Sequence, residues 1–198
     1  MKPQVLVREL GLRLRGDAIV ACDSGTITTW WARHIPARRG RMHSVSGNLA
    51  TMACGHPYAI AAPIAHPDRQ VVAFVGDGGS FLLMAEFAIC VKYGMVFLGT
   101  REHRCDLDPI DFALFARACG GQGFTIENPA EAGPILAKAL ATPGPVIVEG
   151  IVDPFEPPTP AKITADQALH FATSLLRGEP NRAKIALTVL ADKVRQLV

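Results

Sequence analysis

Charge is scarce in this 198-residue chain: Asp, Glu, Lys and Arg make up 19% of it, where about 25% is usual for a soluble domain. The signs nearly cancel, 20 Lys and Arg against 18 Asp and Glu, for a formal net charge of +2. With no field of one sign, the composition gives no support to nucleic-acid binding. The densest basic stretch, residues 33–41, is short, and is expected to be a solvated loop or a subunit-interface patch. Cysteine is sparse as well. The five residues Cys22, Cys54, Cys90, Cys105 and Cys119 are widely spaced with no Cys-x-x-Cys pair. They are expected to be buried thiols in a reducing, cytoplasmic setting, not a disulfide framework. His103, Cys105 and Cys119 fit no zinc-site spacing. Long apolar runs are also missing. The longest, residues 58–65, falls far short of the ~20 residues that span a bilayer. Arg8, Glu9, Arg13 and Arg15 interrupt any secretory leader at the start of the sequence.

Hydrophobic residues, by contrast, reach 49%, enough to build a substantial core at this length. Residues 2–15 have helical spacing of apolar positions, with Leu6, Leu10 and Leu14 in register. Residues 17–22, 70–75 and 145–151 are short, β-branched or small apolar runs, as in strands covered on both faces. Between and after them lie helical patterns at 52–65, 81–93, 109–119 and 130–141, with a short strand at 123–126. The 81–93 helix is expected to bury Met84, Phe87, Ala88 and Val91. This alternation predicts an α/β fold, a doubly wound and mostly parallel sheet. It occupies residues 1–153. A proline-rich connector and a helical tail of two helices follow at 154–198, the first helix capped by Thr164 with Gln167.

In such a sheet, ligands bind beyond the carboxyl ends of the strands. Two polar turns are expected there, Asp23-Ser24-Gly25-Thr26 and Gly76-Asp77-Gly78-Gly79-Ser80. Glycines let the backbone approach an anion closely, and amides at a helix start favour phosphate. Asp77 beside a phosphate would repel it unless a cation such as Mg²⁺ lay between. Neither G-x-G-x-x-G nor a G-K-[ST] loop is present, which counts against a Rossmann dinucleotide site and a P-loop.

Taken together, three stretches carry a family resemblance. They are Ser24 to His34, Ser46 to Phe87 (which holds both Ala50-Thr51-Met52 and the Gly-Asp-Gly turn), and Ala141 to Pro158. In this order and spacing they resemble the C-terminal, cofactor-binding domain of thiamine diphosphate enzymes. The resemblance is to the branch of pyruvate oxidase, quinone-dependent pyruvate dehydrogenase and acetolactate synthase. It implies that Ser24, Gly25 and Thr26 grip one side of the diphosphate, and that Gly76, Asp77, Gly78, Gly79 and Ser80 hold the other. Asp77 would ligate Mg²⁺. Ala50, Thr51 and Met52 would lie along thiamine, with Met52 wedged beneath its bent form. It further implies decarboxylation of a 2-keto acid such as pyruvate. The catalytic Glu and any FAD would belong to other domains, so no catalytic residue is expected within this chain. The partners implied are those domains or further copies of the chain. The chain would then be a fragment inactive on its own, or a degenerate, non-catalytic domain acting as a subunit-like partner.

One departure is decisive. The family closes its metal motif with an Asn turn one helix and one strand after Gly-Asp-Gly. Here residues 100–106 contain no Asn, and the next is Asn128. Residues 95–99 follow Gly94 directly and resemble what normally comes after that turn. Two accounts stay open: an internal loss of about a strand and a turn, or a shortened design with Thr100, Glu102 or Asp106 as the replacement ligand. His56, where the family has apolar residues, is expected on a helix surface or an interface.

Overall fold

Three runs of small and β-branched residues form strands with every position buried, as expected where helices cover both faces of a sheet. In the computed structural model, which describes residues 1–38, 40–93, 110–157, 165–177 and 181–196, five strands form. They are β1 (Ile19–Cys22), β2 (Met42–Ser44), β3 (Val71–Phe74), β4 (Gln122–Ile126) and β5 (Val146–Gly150). Every ladder is parallel, in the orders β2-β1-β3 and β4-β5.

Alternation along the strands feeds two cores. Val20, Cys22, Val72, Phe74, Val146 and Val148 face one side. There they join Leu6 and Leu10 of α1 (Pro3–Arg13), Ile27 and Trp30 of α2 (Thr26–His34), and Leu136 of α7 (Pro129–Ala141). Ile19, Ala21, Val71, Ala73, Val75 and Ile147 face the other. They pack with α3 (Gly55–Ala65), α5 (Glu86–Tyr93) and α6 (Phe112–Ala118) through Ala59, Phe87, Cys90, Phe112 and Ala116. The doubly wound α/β fold is therefore as the alternation predicts. β3 and β5 supply both cores but do not pair with each other. Among the described residues, each is the end strand of its sheet.

The chain divides into two compact units, Met1–Val152 and Asp153–Val198. In the second, α8 (Ala165–Leu176) and α9 (Arg182–Gln196) are the two tail helices. Ile185 is buried, and the Lys184 ammonium sits 4.8 Å above the Phe155 ring. Thr164 of the expected capping box lies outside the described residues. No helix among them is long and apolar enough to cross a membrane.

Four local expectations need correction. The 81–93 helix is split into α4 (Asp77–Leu82) and α5, with a turn at residues 83–85. Its buried stripe runs through Phe87 and Cys90, and Ala88 is exposed. Leu83, Met84 and Ala85 are all good helix formers, so sequence pattern does not mark the break. The helix drawn from residue 52 starts at Gly55, because Ala53 holds a left-handed φ of 66°. The basic stretch is not wholly solvated. Arg41 is buried, and its guanidinium donates to the carbonyls of Gly11, Leu14, Arg15 and Pro36 at 3.3, 2.6, 3.0 and 3.3 Å. Gly11 and Leu14 lie where α1 ends with unpaired carbonyls, so this cation closes a helix C-terminus. His56, finally, is buried, 1% exposed.

Candidate functional site

β1 and β3 are parallel neighbours in register, Cys22 beside Phe74, so the chain leaves both at the same edge of the sheet. The turn after β1 begins with Asp23, whose amide donates to Phe74 O at 2.9 Å. Gly25 turns the backbone into α2 with φ 133°, a conformation L side chains rarely adopt. The turn after β3 passes from Val75 to Gly76, the N-cap of α4. Asp77 is half-buried, and its Oδ1 accepts from the Gly78 amide at 2.8 Å.

A third segment closes on these two. Ser24 Oγ donates to Ser46 O at 3.5 Å, and Cys54 Sγ to Cys22 O at 3.7 Å. Residues 49–53 then make a compact loop in which Ala50 and Ala53 both have positive φ, 49° and 66°. Ser46 Oγ accepts from the Thr51 amide at 3.2 Å and ties the loop to its own start. Met52 is 48% exposed, and its Cε would lie 3.5 Å from a Cβ placed on Gly78. Thus the segments 23–26, 50–52 and 76–80, far apart in sequence, surround one edge of the sheet. Ser24, Gly79 and Ser80 are at its floor, and Gly25, Thr26, Ala50, Thr51 and Met52 are at its exposed rim. The possible ligands Thr100, Glu102 and Asp106 lie outside the described residues. Asn128 is used elsewhere: it is the N-cap of α7, and its side chain accepts from the Ala130 amide at 3.1 Å.

Three residues beneath this edge were not singled out from sequence as site residues. Asp23 is 1% exposed, and its Oδ1 has no hydrogen-bond partner among the described residues. Its carboxylate presses on Gly79 so closely that a Cβ there would collide with Oδ2. Burial, with the Asp23 carboxylate adding to it, pushes the Cys54 thiol up, so it stays protonated at neutral pH. Burial likewise lowers His56 to about 4, against partial support from its contact with Leu83 O and from Asp23. The one advance signal was a polar Asp at the end of a buried strand.

The His56 environment has a measurable consequence. The neutral ring is favoured by the folded chain, whereas the unfolded ring takes up a proton near pH 6.5. Between those values the unfolded state binds more protons, so stability falls as pH drops from about 6.5 towards 4. The loss attributable to His56 between pH 8 and pH 5 is expected to be about 2 kcal/mol. Urea titrations of the native chain and of His56→Gln at both pH values check it; equal pH dependence in the two would remove His56 as the source.

What the edge offers chemically is a cradle for an anion: four glycines in two turns, backbone amides and hydroxyls, and, among the described residues, a single half-buried carboxylate at its rim. Gly25, where a Cβ would meet open space but φ disfavours any side chain, and the hydroxyl-bearing Ser80 fit a diphosphate held mainly by backbone amides; the buried Asp23 oxygen, itself an anionic acceptor, does not. For a cation the fit is partial. Asp77 is one oxygen ligand, and no cluster of three His, Cys, Asp or Glu occurs among the described residues.

Known proteins match the sequence that carries these segments. The family model for the C-terminal TPP binding domain of thiamine pyrophosphate (thiamine diphosphate) enzymes matches residues 23–99 and 95–150. A putative thiamine pyrophosphate-containing protein of Bacillus subtilis, YdaP, is 33% identical over 216 aligned positions, which take in 100% of this chain and 38% of the relative. The acetolactate synthase large subunit of Lactococcus lactis is 30% identical, over 86% of this chain and 34% of its own. Pyruvate oxidase of Lactiplantibacillus plantarum is 27% identical, over 80% and 30%. The chain thus spans about a third of the length of the curated relatives it matches.

Proposed function

The chain belongs to the thiamine pyrophosphate enzyme C-terminal domain family, and from that premise we propose that it is the thiamine diphosphate-holding part of a 2-keto acid decarboxylating enzyme, of the pyruvate oxidase or dehydrogenase kind, and does not turn over alone. The observation that carries this reading is the convergence of the 23–26, 50–52 and 76–80 segments on one edge of the sheet. Ser24, Gly25 and Thr26 take one side of the diphosphate. Gly76, Gly78, Gly79 and Ser80 take the other through amides and a hydroxyl. Asp77 holds the Mg²⁺ that offsets its own repulsion from the phosphates. Ala50, Thr51 and Met52 lie along the organic part, and the exposed Met52 side chain supports the aminopyrimidine. When bound, the cofactor supplies the carbanion that attacks the keto acid, and the protein supplies position and electrostatics.

The described residues provide no acid–base group at the rim besides Asp77, which the metal would occupy. The proton-transferring Glu, and FAD where a full-length relative uses it, would come from domains outside this chain. They could lie in the same polypeptide or in another copy. Leu49, Met52, Phe81 and Leu82 are 83%, 48%, 46% and 60% exposed around the cradle, an apolar rim of the sort that marks a contact surface.

A second reading, a degenerate domain that binds its cofactor poorly, has its own support. The family model matches in two stretches that overlap at 95–99. The alignment with YdaP runs 216 positions against 198 residues here, so about 18 positions of the relative face a gap. The overlap favours a break in the family pattern just after Gly94, and the extra positions of the relative fit the loss of a short segment.

Calorimetric titration of thiamine diphosphate into the chain tests the site. Binding is expected to need Mg²⁺ and to weaken at least tenfold in Asp77→Ala. Binding that ignores Mg²⁺ and Asp77 alike would sink the cradle assignment. Release of CO₂ from pyruvate by the chain alone would sink the claim that it needs another domain.

A further inference from the structure

The sequence holds a single Asp-Gly pair, Asp77-Gly78, and no Asn-Gly pair. An aspartyl carboxyl can be attacked by the amide nitrogen of the next residue, closing a succinimide ring. Glycine is the neighbour that hinders this least, since it has no Cβ beside its nitrogen and a permissive backbone.

The fold sets the two groups against each other. Asp77 Oδ1 accepts from the Gly78 amide at 2.8 Å, so Cγ, one bond away, is held beside the nitrogen that would attack it. Fixing two reacting groups in this way supplies much of what an intramolecular reaction needs. The Gly78 amide lies in the first turn of α4, where a helix offers no backbone acceptor, so no ladder bond has to break. Both residues are half-buried, which leaves them open to water. Gly78 also has room: a Cβ built there would meet only Met52 Cε, at 3.5 Å. Nor does α4 hold the pair rigidly. It has six residues, with Gly78 and Gly79 adjacent in it, and ends at the turn of residues 83–85; glycine is a weak helix former. The chain carries its own comparison in its single Asp-Ser pair, Asp23-Ser24. There the carboxylate is 1% exposed and packed against Gly79.

We propose that Asp77 is a self-modification site, which the folded chain converts to isoaspartate. The Gly78 nitrogen bonds to Asp77 Cγ, the carboxyl gives up a hydroxyl, the amide gives up its proton, and one water leaves. Water then adds back to the succinimide. Opening at Cγ restores aspartate. Opening at the backbone carbonyl carbon leaves Gly78 linked through Cγ, which is isoaspartate. The net mass is unchanged, and water is the sole co-reactant. The product has an extra methylene in its main chain and its carboxylate directly on Cα. The Asp77 oxygens are thereby moved from the rim, and Gly79 is shifted against Asp23. The modification stands without the thiamine diphosphate reading; its consequence, loss of the cradle, rests on that reading.

The test keeps the full chain at pH 7.5 and 37 °C in H₂¹⁸O, sampled over days and digested in ordinary water. Trypsin releases residues 70–92, in which Asp77 is the sole Asp or Asn. Entry of ¹⁸O at Asp77 is expected, with a second form of the peptide that accepts a methyl group from an isoaspartyl methyltransferase. At least fivefold more isoaspartate is expected at Asp77 than at Asp23. Gly78→Ala is expected to slow the reaction at least fivefold. The rate in the folded parent is expected to lie within tenfold of that in the synthetic 70–92 peptide, a comparison that needs no variant to fold. No label at Asp77, isoaspartate no greater there than at Asp23, a Gly78→Ala chain as fast as the parent, or a folded rate more than tenfold below the peptide's would each overturn the proposal. Mg²⁺ with thiamine diphosphate is expected to slow the reaction at least tenfold by occupying the Asp77 oxygens. Isomerisation indifferent to them would support the modification and count against the cradle, so the two readings fail separately.

Discussion

Inserting a β-branched strand and an Asn-Asn turn between Gly94 and Met95 is expected to tighten Mg²⁺-dependent thiamine diphosphate binding by about a hundredfold, close to 3 kcal/mol. The reasoning starts from the metal. Mg²⁺ demands near-octahedral oxygen coordination and gives up its waters reluctantly. Asp77 alone offers one side-chain oxygen, so the ion gains little by leaving water, and the diphosphate then meets the Asp77 carboxylate with weak compensation. A second side-chain ligand from the turn would correct both faults. The fold has room in its logic for the strand. β3 and β5 feed the same two cores, yet each ends its own sheet among the described residues. Supplying one strand between them would pair both edges, so chemical stability should rise together with affinity. Titration calorimetry and urea unfolding of the two chains measure the pair of effects. If the unmodified chain already binds tightly with Mg²⁺, and Glu102→Ala or Asp106→Ala abolishes it, a surrogate ligand exists and the gap is a working redesign.

Much of this architecture could be read from residues in order. The buried strands β1, β3 and β5 are legible because β-branched runs between helical patterns have few other outcomes. The glycine turn after β3 and the Asn128 cap of α7 are legible because both rest on local backbone chemistry. α2 and β2 were not resolved into elements, because Thr26 to His34 mixes β-branched residues and two Trp with no clean period. The pattern draws residues 52–54 into the helix because alanine is not expected at positive φ, which Ala53 adopts. The shape of the loop before α3 is imposed by Ser46, Ser24 and Cys54 from outside. Arg41 and His56 were misplaced for a common reason. Polarity predicts exposure, but a guanidinium that satisfies four carbonyls, and a neutral imidazole against Leu83 O, are tolerated inside. Asp23 was seen as part of a turn and not as a buried carboxylate, since its depth follows from the β1–β3 register and the close approach of Gly79.

That approach yields the other large effect. Gly79→Ala is expected to destabilise the chain by about 3 kcal/mol, at the upper end for inserting a methyl group into a packed interior. A Cβ at position 79 would collide with Asp23 Oδ2 and lie 3.0 Å from Val75 Cγ1. Neither neighbour has an easy retreat. Val75 is fully buried, and Asp23 is 1% exposed, with its own amide fixed to Phe74 O. Gly78→Ala is the matched control, because its Cβ would meet only Met52 Cε at 3.5 Å, an ordinary contact. It should change stability by less than about 1 kcal/mol, and replacing glycine within α4 favours the helix. The collision also predicts coupling. Asp23→Ala removes the atom that Gly79→Ala strikes, so the double variant should be more stable than the two single losses sum to, by about 1–2 kcal/mol. Urea unfolding with unchanged m values supplies the cycle. Simple additivity, or a Gly79→Ala chain as stable as the parent, would mean that the Asp23 carboxylate does not sit against this turn. In that case, the floor of the cradle would have to be drawn again.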